Sequence, residues 1–166
     1  MLTSQQFDRT RRLALSLAGI ELVERHRELL DHRRRRFGIL DSAGLDSLLD
    51  AVEKGEATAR QKLLGLLTTK FTGFFRHPRQ FDLAADHALR AARHRGRARL
   101  WSAAAATGEE PYSLAMALIE VSRCDAPPVG ILATDVDLDA LAVAQRAEYG
   151  ETALGFYNRA QMLVKL

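Results

Sequence analysis

Residues 101–113 read WSAAAATGEEPYS, from Trp101 to Ser113, and this stretch decides the fold. Arg99 to Ala104 is short, largely apolar and bounded by Gly96 and Gly108, the pattern of a buried strand. Thr107 and Gly108 make a turn. Glu109, Glu110 and Pro111 then open a helix reaching about Ser122, with the proline where its missing N–H does no harm. Downstream, Pro127-Pro128 break the chain and Val129 to Thr134 (VGILAT) reads as a second strand ending at Asp135. Asp137 to Ala147 follows as a helix. The order βαβα is the opening of a parallel α/β sheet.

Upstream the pattern is helical throughout. Residues 3–17 predict a helix capped by Thr3 or Ser4 and ended by Gly19. A second is expected from about Glu21 to Phe37, carrying Arg25, Arg27 and the run Arg33, Arg34, Arg35, Arg36. Shorter helices are expected over 45–53 and 57–67, and another over 83–95. The fold class expected is α/β: an all-α N-terminal domain over 1–82, then an incomplete Rossmann-like domain (βαβα) over 83–166.

Composition narrows the class. A 27% charged and 47% hydrophobic chain is globular rather than disordered. One cysteine cannot form an internal disulfide, and His26, His32, His77, His87 and His94 have no metal-ligand spacing. No apolar run reaches transmembrane length, and Met1 to Arg12 lacks a signal core, so a cytoplasmic protein without membrane insertion is expected. The net charge of +3 hides an asymmetry: residues 1–100 hold 20 Lys+Arg against 12 Asp+Glu, and residues 101–166 hold 4 against 9. The cationic half suits an acidic partner. Nucleic acid is disfavoured, because no recognised nucleic-acid module is evident.

The turn after the first strand carries the chemistry. Small side chains from Ala104 to Gly108 let a ligand approach the backbone beside free N–H groups of a helix start. A single glycine is a poor match to G-x-G-x-x-G, and Glu109 and Glu110 would repel a pyrophosphate. A ligand with a cationic or hydroxylated portion fits better, such as the amino-acid end of S-adenosylmethionine. Asp135 stands where such folds put a carboxylate that accepts from ribose hydroxyls. The plainer alternative stays open: Glu109 and Glu110 complement the helix dipole and Asp135 caps the next helix. Among the aromatics, Phe71, Phe74, Phe75 and Phe81 are expected mostly to pack, with Phe74 or Phe75 walling the site, and Trp101 is expected in the core.

WSAAAATGEEPYS, followed by LATDVDLDAL (Leu132 to Leu141), resembles the CheR-type chemoreceptor methyltransferases. TTKFTGFFRHPRQF (Thr68 to Phe81) is similar to the same family's linker motif, and AGIEL (Ala18 to Leu22) with the Arg-rich second helix to its helical domain. The resemblance implies S-adenosylmethionine-dependent methylation of glutamate side chains on chemoreceptors during adaptation. It implies that Thr72, Arg76, Glu109 and Asp135 contact the cofactor, with Arg76 nearest the transferred methyl. It further implies that the basic helix carrying Arg33 to Arg36 recognises the acidic methylation region of the receptors; a merely solvated helix face is the alternative.

The sequence departs from that family in three ways. Lys70 stands where the linker motif has Asn, replacing a donor–acceptor by a charged donor. Ala106 replaces a Ser in the turn. A later Asn-Val/Leu-x-Ile-Tyr-Phe-like motif is absent. Only 66 residues follow Leu100, too few for a complete domain of this kind. The expectation is therefore a truncated or split methyltransferase that binds cofactor weakly alone, or a noncatalytic receptor-binding adaptor. A missing C-terminal half or self-association would cover the sheet edges.

Overall fold

A computed structural model describes residues 1–150 and 153. The chain divides into two units, Met1–Thr69 and the residues from Lys70 onward. From Lys70 on, the linker motif thus belongs with the α/β part, and the division falls earlier than the expected 82/83 boundary. Phe74, Phe75 and Phe81 lie in one apolar cluster with Leu114, Met116, Ala117 and Leu118, which draws the linker to that side.

The first unit holds four helices: α1 (Ser4–Ala18), α2 (Arg27–Arg36), α3 (Ser42–Glu53) and α4 (Ala57–Leu67). Thr3 caps α1 in a reciprocal box with Gln6, and Gly19 ends it at φ +66°. Phe7, Leu49, Leu63 and Leu66 are fully buried at the centre. Gln6 donates from Nε2 to Ser42 and Asp46, tying α1 to α3 through a satisfied buried amide. Arg9 reaches Asp50 at 2.6 Å and Glu53 at 2.8 Å on the same helix.

The second helix starts later than its sequence suggests. Leu22 is buried from an extended stretch, Val23 keeps φ −116°, and a 3-10 turn (Glu24–His26) precedes α2. The Val23 N–H donates to His26 Nδ1 at 3.1 Å, closing that turn before α2 begins.

In the second unit α5 (Pro78–Arg95) opens on proline and stops at Gly96. It is followed by β1 (Ala98–Ala103), α6 (Glu109–Ser122), β2 (Val129–Thr134) and α7 (Leu138–Arg146). The strands pair in parallel with Ala98 opposite Val129 and Trp101 opposite Leu132. Leu100, Val129 and Ile131 pack on the cluster shared by α5 and α6.

The alternate positions point the other way and are uncovered. Trp101 is 70% exposed and Leu132 61% exposed. Trp101 is therefore not core, a correction to the sequence reading: the strand is buried on one face only, and its indole N–H donates to Thr134 Oγ1 at 3.0 Å.

Candidate functional site

The site is built at the tips of β1 and β2. Ala105 N–H continues the ladder by donating to Thr134 O at 2.9 Å, and the chain then turns sharply. Ala104, Ala106 and Gly108 have φ of +60°, +47° and +100°. Two alanines in the left-handed region are each strained by about 1–2 kcal/mol, the kind of strain that gathers at ligand sites. Gly108 is required as well as permitted. A Cβ there would lie 2.5 Å from Tyr149 Oη and 2.8 Å from Ala144 Cβ. Gly108 offers no side-chain cap, so the first N–H groups of α6 stay open to a ligand.

Asp135, half-buried, reaches across this turn. Its Oδ2 accepts from the Ala106 N–H at 2.8 Å, and its Oδ1 from the Asp137 N–H at 2.8 Å. Each oxygen keeps a lone pair for a further donor. Glu109, half-buried at the start of α6, accepts from Thr107 Oγ1 at 2.6 Å. The two predicted carboxylates thus serve one loop.

The linker is tied to the same loop from both ends. Phe75 N–H donates to Ser113 Oγ at 2.9 Å, and that hydroxyl donates to Glu109 O at 2.6 Å. Lys70 Nζ lies 3.0 Å from Asp137 Oδ2. A closed circuit results, running from the linker through Ser113 and Glu109 to the turn. It continues through Asp135 and Asp137 and returns to the linker at Lys70. Thr72 is half-buried in this loop. Arg76 is exposed and folds back on its own segment, donating to Phe71 O at 2.9 Å with its guanidinium 4.8 Å from the Phe71 ring. Phe71 is exposed, while Phe74, Phe75 and Phe81 are buried.

Tyr149 closes the far side. Its hydroxyl donates to Thr107 O at 2.7 Å, and its ring meets Phe74 and Tyr112 edge-on. Burial, then Glu109 and Tyr112, push its phenol well above the ordinary tyrosine range, so it remains a donor. A hollow of about 320 Å³ between α6, β2 and α7, lined by Tyr112, Ala115, Ile131 and Leu141, adjoins the turn without including Glu109 or Asp135. Most of the side chains lining this hollow are apolar.

A family model described as CheR methyltransferase, SAM binding domain, matches residues 70–161. This chain belongs to that family. The CheR match begins at Lys70, where the second unit begins. The chain is 36% identical over 148 residues to chemotaxis protein methyltransferase 2 of Pseudomonas aeruginosa, covering 89% of this chain and 52% of that protein. It is 35% identical over 150 residues to the chemotaxis protein methyltransferase of Escherichia coli, covering 89% and 51%. A probable chemotaxis protein methyltransferase of Rhizobium etli is 44% identical over 103 residues, covering 59% and 38%. The chain spans about half the length of the first two relatives.

S-adenosylmethionine is the ligand the CheR domain implies, and the residues present fit it. Open N–H groups at an uncapped helix start suit its carboxylate. Glu109 and Asp135 suit its ammonium and ribose hydroxyls. The bare backbone of Ala104 to Gly108 admits close approach. Among the described residues no cluster could hold a metal ion, and no helix is long and apolar enough to cross a membrane.

The Arg33 to Arg36 run belongs to the first unit and divides by role. Arg33 donates to Leu67 O at 2.9 Å, Thr68 O at 3.2 Å and Thr69 Oγ1 at 2.7 Å, satisfying the carbonyls at the end of α4. Arg34 is buried, 2.9 Å from Asp31 Oδ1 and from Ile39 O. The expectation that Arg34 meets a receptor is thereby corrected: its charge is consumed inside the unit. Arg35, which also pairs with Asp31, and Arg36 remain exposed.

Sequence reasoning missed Ser113, Asp137 and Tyr149. Ser113 carried a signal, being four residues after Glu109 and hence above it on the helix. Asp137 was visible as an N-cap, since its carboxylate accepts from Ala140 N–H. Nothing local marks Tyr149, whose partners come from distant segments.

Proposed function

We propose that this chain carries the cofactor-holding part of a protein-glutamate O-methyltransferase that modifies chemoreceptors in the cytoplasm. The observation carrying this reading is the circuit that joins the linker, Glu109 and Asp135 around one turn. S-adenosylmethionine, when bound, supplies an electrophilic methyl group on a sulfonium. Glu109 and Asp135 orient the donor from its polar ends. Thr72 adds a hydroxyl from the linker, and Phe74 supports that linker from beneath through its edge-on contact with Tyr149.

A glutamate side chain is already ionised at neutral pH, so the reaction needs no strong base and depends mainly on alignment. Arg76 is the candidate catalytic clamp, because its planar fork can hold a carboxylate and its exposed position leaves it free to swing from Phe71. Arg35 and Arg36 are the exposed cations of the basic helix available to an acidic receptor segment, while Arg33 and Arg34 hold the helical unit together.

Two measurements test the proposal. Calorimetry with S-adenosylmethionine should give binding that Asp135→Ala abolishes. Transfer of labelled methyl to a receptor fragment, releasable by mild base as an ester would be, reads the full reaction. Donor binding without transfer would instead indicate a receptor-binding adaptor, and no binding at all would refute the site.

A further inference from the structure

Lys70 introduces a full positive charge at the rim of a site read as holding a sulfonium, and the structure contains its answer. The ammonium lies 3.0 Å from Asp137 Oδ2, whose side chain is 4% exposed against 38% for Lys70. Asp137 is firmly held in place. Its Oδ1 accepts from Ala140 N–H at 3.0 Å, its own N–H donates to Asp135 Oδ1 at 2.8 Å, and Lys70 takes its other oxygen. One residue therefore separates the Lys70 charge from the carboxylate assigned to the ligand.

We infer that Asp137 is a charge-compensating, specificity-determining residue: it cancels Lys70, so that this ammonium does not shift the affinity ratio against a cationic methyl donor and toward its neutral thioether product. This rests on the cofactor reading above. Removing the Asp137 charge frees the Lys70 ammonium beside the site, and removing the Lys70 charge leaves the Asp137 carboxylate without that ion-pair partner. S-adenosylmethionine and S-adenosylhomocysteine share the same adenosine and amino-acid groups. They differ by the sulfonium charge and its methyl, so the ratio of their affinities isolates this effect from general loss of structure.

The experiment is calorimetric titration of the full chain with both compounds, for the wild type, Asp137→Asn, Lys70→Gln and the double variant, with circular dichroism to confirm folding. Asparagine keeps the α7 cap, since its amide oxygen can accept from Ala140. Asp137→Asn should weaken S-adenosylmethionine about three- to tenfold more than S-adenosylhomocysteine, the scale of one partly screened unit charge. Lys70→Gln should move the ratio the opposite way, and the double variant should restore the wild-type ratio. Equal losses for both compounds, or an unmoved ratio in both single variants, overturns the inference while leaving the cofactor site standing. Should Asp137→Asn fail to fold, the sign of the Lys70→Gln shift decides alone. Failure of the wild type to bind either compound overturns the site reading, and this inference with it.

Discussion

Gly108 sits where neither backbone nor space admits a side chain. Gly108→Ala must accept φ near +100° and drive a methyl group onto Tyr149 Oη and Ala144 Cβ. Left-handed strain of about 1–2 kcal/mol and overpacking of about 1–3 kcal/mol act together, so the second unit should lose about 2–5 kcal/mol, read by urea unfolding. Tyr149→Phe is the milder test of the same turn: it removes one hydrogen bond to Thr107 O, and a loss of about 1–2 kcal/mol is expected. A raised phenol pKa means that the neutral donor persists well above the range where an ordinary tyrosine ionises, and stability from this bond fades only as the pH climbs past that range. At this scale the turn that carries Glu109 was legible in the sequence, because a run of small residues between strand and helix is a local pattern. The sequence said nothing of Tyr149, whose hydroxyl meets Thr107 across 42 positions of chain.

Within α2, neighbouring arginines have opposite roles, and variants should separate them. Arg34→Ala removes the buried partner of Asp31 and the donor to Ile39 O while leaving Arg35 on the carboxylate, at a cost of about 1–3 kcal/mol by thermal or urea unfolding. Arg36→Ala should leave stability within about 0.5 kcal/mol, as exposed substitutions do, while weakening receptor-fragment binding more at low salt than at high. Asp31 adds a pH dependence. Burial opposes its ionisation, but Arg34, the N-terminal ammonium and Arg35 outweigh it and hold the carboxyl below its usual range. A lowered folded-state pKa contributes stability that is whole above the unfolded value of about 4 and disappears as the pH falls through the folded value. Helical ellipticity should therefore become less resistant to urea below about pH 4, with Asp31→Asn flattening that dependence. Helix ends at Gly19 and Gly96 were legible in the sequence because a left-handed cap is a local requirement. The division of Arg33 to Arg36 was not, since the carbonyls that claim Arg33 belong to the end of α4 and those that claim Arg34 to the chain after α2.

Across the molecule, each unit has its own apolar cluster, and the parallel βαβα order was readable from apolar runs, prolines and turn residues. Burial of those runs was not readable. A largely apolar strand looks alike whether helices cover one face or two, and here Trp101 and Leu132 share the uncovered side. Natural sheets seldom leave such a face and two short parallel strands to water, so the patch should also make the isolated chain prone to self-adhesion. Trp101 is the sole tryptophan in the chain. Its emission should resemble that of indole in water and be quenched efficiently by iodide; a blue-shifted, iodide-resistant signal would contradict the open face. The indole thereby doubles as an optical gauge: whatever polypeptide settles over β1 and β2 must first displace water from the one fluorophore excited at 295 nm, and the change in colour would time that encounter without any label.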